Sequence, residues 1–211
     1  MAASVHITTH TKGTKMEGVS SISTTCQKNP ICQKRAQQEG GVCAHCYAQK
    51  LCALRKALET HLEENYDLLT SRLLTPREAS GVPISTTLCR IESFGDVANV
   101  TQARNYLRII KGHRLTRFGI WSKNWGIWLA AFKKEGKPRN CTFVLSSMGI
   151  NHQDAVDPRI KRYVDHVFTV WDAKSYAQFE DSPSHCAGVR CLNCQKCYRR
   201  GTSFHINEKL H

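Results

Sequence analysis

Eight of the chain's eleven cysteines fall into two close groups, at spacings that let thiolates converge on metal. Cys26, Cys32, Cys43 and Cys46 run C-x5-C-x10-C-x2-C, and Cys186, Cys191, Cys194 and Cys197 run C-x4-C-x2-C-x2-C. Each group supplies the four ligands of a closed tetrathiolate site, for zinc or for an iron–sulfur cluster. In a secreted chain so many cysteines would suggest disulfides, whereas in a reducing compartment clustered thiols hold metal. Zinc ribbons favour two C-x2-C knuckles, and the first group has only one. The second group resembles the C-x4-C-x2-C and C-x2-C-x2-C runs that wrap a cluster wider than one ion. The spacing therefore favours iron–sulfur, with two [4Fe–4S] clusters expected and zinc as the alternative metal. Cys52, His45 and His185 stand close enough in sequence to substitute as ligands, whereas Cys89 and Cys141 lie in apolar runs and read as buried hydrophobes.

Tyr47 and Tyr198 each follow a C-x2-C step, where an aromatic ring shields a metal site from water. The chain of 211 residues carries 30 Lys plus Arg against 17 Asp plus Glu, a formal net charge of +13. Two tetrathiolate sites at a formal charge of about −2 each would leave roughly +9. Lys196, Arg199 and Arg200 beside the last thiols add to a basic surface suited to nucleic acid. The opening MAASVHITTHTKGTK lacks the basic flank and apolar core of a signal peptide, and no apolar run reaches bilayer length. A cytoplasmic protein with no membrane partner is expected.

The elements that must position these groups alternate between strand-like and helix-like patterns. Strands are expected at 18–24, 86–94, 117–121, 141–147 and 166–171. A long helix after Cys46 places Leu51, Leu54, Leu58, Leu62, Tyr66 and Leu69 on one face. A second helix runs over 99–110 on Val100, Ala103, Leu107 and Ile110. A third carries Trp125, Trp128, Leu129 and Phe132 before Gly136 and Pro138, and a short fourth starts at Asp157-Pro158. Strands joined by helical crossovers imply an α/β fold, here an open, partial parallel β/α barrel of about five strands. We read one domain over 1–211, with cysteine loops at 18–50 and 184–201 flanking β/α repeats at 84–175.

Ligands of α/β folds gather at the carboxyl ends of parallel strands. The segments ESFGD, WSKN, SSMGINH and WDAK follow four of the strands and offer Glu92, Asp96, Ser122, Lys123, Asn124, Ser146 and Asn151 as cofactor-binding candidates; for each segment helix capping is the competing role. Both thiol groups are expected on that same rim, with a helix N-terminus beside Cys43 and Cys46 favouring thiolate.

The stretches SSISTTCQKNPICQKRAQQEGGVCAHCYAQK, RIESFGDVANVTQARNY, FGIWSKN and CLNCQKCY together resemble the gene product 88 family of phage and plasmid proteins, a resemblance that covers most of the chain and implies no particular activity. More remotely, a strand, a cysteine loop and a partial barrel are similar to radical S-adenosylmethionine enzymes, although their C-x3-C-x2-C is absent. That likeness implies S-adenosylmethionine as a further cofactor, with Glu92 and Asp96 as acceptors for its amino group. Two functions are thus expected in outline. One is an iron–sulfur protein with two clusters, radical-enzyme-like or redox-active and served by an electron donor. The other is a metal-stabilised nucleic-acid-binding protein without enzymatic activity.

Overall fold

Short apolar and β-branched runs pair into a seven-stranded sheet whose strand order follows chain order. The strands are β1 (Thr8–Thr9), β2 (Ser20–Ile22), β3 (Leu88–Ile91), β4 (Arg117–Ser122), β5 (Cys141–Ile150), β6 (His166–Trp171) and β7 (Phe204–Lys209). β1 is antiparallel to β2, and every other neighbouring pair is parallel. The computed structural model describes residues 4–186, 188–201 and 204–210. The sheet does not close: β1 and β7 stand at its two edges. Lys15, in the β1–β2 connection, nevertheless forms an ion pair with Glu208 of β7.

Helices fill the crossovers. The β2–β3 connection holds α1 (Pro30–Ala36), α2 (Tyr47–Leu54), α3 (Lys56–Ser71) and α4 (Pro76–Ser80). Next come α5 (Val100–Gly112) after β3 and α6 (Trp125–Glu135) after β4. Two four-residue helices, α7 (Ala173–Tyr176) and α8 (Cys191–Cys194), lie between β6 and β7. One face of the sheet, through Ile22, Cys89, Ile91, Phe118, Ile120 and Phe143, packs on Leu69, Tyr106, Leu107, Ile110, Trp128 and Phe132 of α3, α5 and α6. Side chains alternate across a strand, so Arg90, Trp121 and Thr142 stand on the opposite face. There the segment after α8 covers them, with Tyr198 packed beside Leu88, Trp121 and Cys197.

The helical face read from Ala103, Leu107, Ile110, Trp128, Leu129 and Phe132 is buried as expected, and so are Cys89 and Cys141. Four expectations are corrected. The long helix after Cys46 is two helices, because Arg55 leaves helical geometry (φ −119°, ψ 77°). Leu54 then ends 80% exposed, while Leu58 and Leu62 turn onto the first cysteine group. Strand β5 continues to Ile150, so SSMGI is sheet rather than loop. The helix expected at Asp157 is a turn followed by a 3₁₀ turn at Lys161–Tyr163; the Asp157 carboxylate accepts from Arg159 N and also binds its guanidinium. Finally, seven strands replace about five, because β1 is too short to carry a pattern and β7 follows the second cysteine loop.

Candidate functional site

The first cysteine group is assembled at the carboxyl end of β2 and β3. Cys26 lies four residues after Ile22 and is 1% exposed. Its carbonyl accepts from Gln33 Nε2 at 2.8 Å, tying the loop to α1, the helix that carries Cys32. Asn29 caps α1 by accepting from Ile31 N at 3.0 Å, and Pro30 takes the first helical position, where its missing N–H costs nothing. The same Asn29 donates to the Asp96 carbonyl at 2.6 Å, which fixes α1 to the loop after β3. Cys43 sits in the 3₁₀ turn Val42–His45, and Cys46 is the N-cap of α2.

These thiols influence one another electrostatically. Cys26 shares side-chain hydrogen bonds with Cys46 and Cys52, and Cys32 feels the charges of Cys43 and Cys46. Ala48, Leu51, Leu58, Leu62 and Phe94 form the apolar shell. The Cys46 thiol is held below its ordinary pKa, first by the Cys26 hydrogen bond; the N–H groups of Gln49 and Ala48 at the start of α2 and the charge of Lys123 add to this against burial. Cys26, the donor, is raised. Cys32 is raised by burial and by Asp96 and Glu92. Cys52, six residues beyond Cys46 on α2, thus joins the group as a fifth thiol.

The strand-end candidates divide. Glu92, at the left-handed φ of 59°, is 3% exposed. Its carboxylate accepts from Thr24 N (3.1 Å), Thr24 Oγ1 (2.8 Å), Gln102 Nε2 (2.8 Å) and Tyr106 Oη (2.5 Å). Burial still pushes its pKa up to about 7, because desolvation outweighs those four donors. Asp96 accepts from Val97 N (2.8 Å), Ser122 Oγ (2.5 Å) and Lys123 N (3.0 Å), and lies 3.5 Å from Arg35. It does not cap α5; Asn99 does, accepting from Gln102 N at 2.9 Å. Asn124 donates to Val97 O at 2.7 Å, and its own carbonyl receives the first N–H groups of α6. Glu92, Asp96, Ser122 and Asn124 therefore lock the ends of β2, β3 and β4 together, with their acceptors taken up inside the protein. Lys123 is the candidate that reaches the thiols, through its charge on Cys46. Ser146 is buried inside β5, on the face opposite the helices. Asn151 pairs reciprocally with Asp172, accepting from Asp172 N at 2.8 Å and donating to its carboxylate at 2.5 Å. Both lie along β5 and its end, where Gly41, two residues before Cys43, bridges to Gly149 of β5.

The second group shares that rim only in part: Cys186 stands beside the carboxyl half of β7, and the chain runs from there toward the amino ends of the strands. Cys186 N donates to Asn207 O of β7 at 2.7 Å, and Cys191 N donates to Lys15 O at 2.8 Å. The chain then turns through Gln195 at the left-handed φ of 54° and passes beneath the amino ends of the strands. There Gln195 accepts from Arg117 at 2.6 Å, Cys197 O from Thr142 Oγ1 at 2.6 Å, and Arg199 O bonds His166 Nε2 at 2.9 Å. The reason is connectivity: a segment entering a parallel strand arrives at its amino end. Cys197 is pushed up to about 12 by burial and then by Cys186, Cys191 and Cys194, against the charge of Arg90. Burial opposes the charge on Lys15, yet Glu208 and Cys186 raise its pKa overall. Arg90 stacks 4.4 Å over Trp121, which meets Tyr198 edge-on at 5.8 Å.

Among the described residues, no three His, Cys, Asp or Glu side chains are set to hold a single metal ion. A zinc ion with Zn–S bonds of about 2.3 Å would need its sulfurs under about 4 Å apart. Cys26, Cys32 and Cys46 in a shared apolar shell, with Cys43 and cations nearby, match a larger polynuclear group in donor type and number.

A family model described as Gene product 88 matches residues 4–206. The chain belongs to the gene product 88 family. Both cysteine groups fall inside the span matched to gene product 88, so they are built on the family's own domain. No curated protein and no solved structure matches the chain. Among the described residues, no helix is long and apolar enough to cross a membrane. Sequence reasoning passed over Lys15, Arg90 and Trp121; an Arg amid the apolar residues of β3 was the available signal, since a charge there must find a use on the far face.

Proposed function

We propose that this gene product 88 protein carries two iron–sulfur clusters and works as a redox protein. Cys26, Cys32, Cys43 and Cys46, with Cys52 behind them, hold the first; Cys186, Cys191, Cys194 and Cys197 hold the second. The observation that supports the reading is that two fourfold cysteine groups, about 140 residues apart in sequence, each contain thiols that influence one another electrostatically and have cations nearby: Lys123 at the first, Lys15 and Arg90 at the second. Such clusters supply one-electron transfer when bound. The chain's own part is to exclude water with Leu51, Leu58, Leu62 and Phe94 at one group and Tyr198 and Leu192 at the other, and to offset thiolate charge. Iron–sulfur is preferred over zinc because C-x4-C-x2-C-x2-C resembles cluster-wrapping runs more than paired zinc knuckles. A redox role is preferred over S-adenosylmethionine chemistry because Glu92 and Asp96, the acceptors that chemistry would use, are spent on internal donors.

The test is anaerobic purification followed by assay of iron, acid-labile sulfide and zinc. About eight irons and eight sulfides per chain are expected, falling to about four of each in Cys194→Ser. Two zincs without sulfide would overturn the proposal. In the reduced protein, S-adenosylmethionine should leave the electron paramagnetic resonance spectrum unchanged; a shifted spectrum would restore the radical-enzyme reading.

A further inference from the structure

The amino ends of β4 and β5 form a cavity of about 490 Å³, and of its lining the cluster reading uses only Tyr198. Arg117, Arg139, Arg199 and Arg200 line it, with Asn140 and the buried Tyr198. Their positions are fixed from below. Asn140 Nδ2 donates to three carbonyls, Ile110 (3.1 Å), His113 (3.0 Å) and Thr116 (3.0 Å), pinning the turn before β4 to the start of β5. Arg200 donates to Pro138 O (3.4 Å) and Arg139 O (3.3 Å), joining the segment after the second cysteine group to the same place.

Four guanidinium groups around one cavity repel one another unless anions neutralise them. Among the described residues the protein provides little neutralisation. Arg117 has the neutral Gln195 as partner. Arg200 is 3.7 Å from Asp165, a carboxylate already bound to Lys137 and to Phe143 N. Arg139 and Arg199 have no ion pair and no side-chain hydrogen bond among the described residues, and all four arginines are exposed. Guanidinium forks match phosphate oxygens bidentately, and the volume is that of a small-ligand site. We propose that this cavity binds the phosphates of a nucleic-acid strand. The four exposed arginines ring the cavity at the amino ends of β4 and β5, and the formal net charge of +13 draws polyanions toward it.

The test uses the anaerobically purified, cluster-loaded protein and a fluorescein-labelled single-stranded oligonucleotide, followed by anisotropy from low to moderate salt. The plot of log K against log salt should carry a contribution of about −0.7 for each arginine on a phosphate. In Arg139→Glu/Arg199→Glu the slope should shrink by about 1.4 and low-salt affinity should fall about tenfold or more. Lys50→Glu/Lys56→Glu makes the same change in net charge on exposed helix positions, and should retain most of the affinity and the slope. Iron content and melting temperature of both variants check that folding and cofactor loading are unchanged. Equal losses in both pairs would reduce the effect to net charge and overturn the proposal, as would absence of binding at low salt. Displacement of the oligonucleotide by micromolar AMP or inorganic phosphate would reassign the cavity to a small phosphorylated ligand and overturn it too.

Discussion

The residue that most clearly joins fold to site is Glu92. Its carboxylate links Thr24 after β2, its own loop after β3, and Gln102 and Tyr106 on α5, so one side chain ties the floor beneath the first cysteine group. The chain accepts a left-handed backbone at this position (φ 59°), a conformation a non-glycine residue adopts only when its surroundings hold it there. Burial also raises the pKa of the carboxyl to about 7. Since the folded pKa lies above the unfolded value, the fold prefers the protonated acid. That preference is fully present below the unfolded pKa of about 4.3 and is lost as pH rises toward 7. The linked loss is of the order of 3 kcal/mol. Urea unfolding at pH 4.5 and 7.5 should show it: Glu92→Gln, which stays neutral, gains roughly 2 to 3 kcal/mol relative to wild type across that interval. A difference independent of pH would mean that the four donors hold the carboxylate ionised throughout.

Strand β4 illustrates how an element is shaped from both faces. Phe118 and Ile120 enter the helix-covered core, while Gly119 leaves the opposite face bare for the Trp121 ring and for Tyr198. A Cβ at Gly119 would lie 2.4 Å from the Trp121 ring and 3.0 Å from the Tyr198 ring. Gly119→Ala should therefore cost about 2 kcal/mol by overpacking and lower the melting temperature by about 4 to 8 °C. Gly126→Ala, in α6 with nothing within 4 Å of the added methyl, should be neutral or stabilising by up to about 1 kcal/mol. Equal melting temperatures for the two variants would show that the Trp121 and Tyr198 rings do not close over Gly119. The elements that could be read ahead of the structure were those with long apolar periodicity, such as α5 and α6. Arg55 broke the reading of α2 and α3, because the apolar spacing continues through it while the backbone does not. Strand β1, with two residues, carries no period, and β7 alternates only after a cysteine loop whose path is set by tertiary contacts. Strand-end acceptors such as Asp96 were visible as polar residues; that they are consumed by Ser122 and Lys123 N is a matter of packing, which no local pattern encodes.

At the scale of the whole molecule, the two cysteine groups do different structural work. The first is seated on the carboxyl ends of β2 and β3, whereas the second strings together the β1–β2 connection, β7 and the amino ends of β4 to β6. Spacing alone revealed both groups but not the path of the second toward the amino ends of the strands, because it says nothing about which end of a strand a loop approaches. The main core of α3, α5 and α6 against β2 to β5 contains no residue of either quartet. If the proposed clusters are bound, their loss should therefore loosen the two loops without melting the sheet, since each foldon is held by its own apolar contacts. Hydrogen exchange before and after anaerobic chelation should show amides of 26–54 and of the described part of 183–200 exchanging at least about tenfold faster. A tenfold change corresponds to about 1.4 kcal/mol of lost local protection. Amides of β3, β4 and α5 should keep their rates. Residues 10–19 should follow the second loop, because Lys15 O accepts from Cys191 N and Lys15 Nζ pairs with Glu208. Equal acceleration across the sheet would mean that the cysteine groups hold up the entire fold. No acceleration anywhere would mean that the thiols carry no group worth removing.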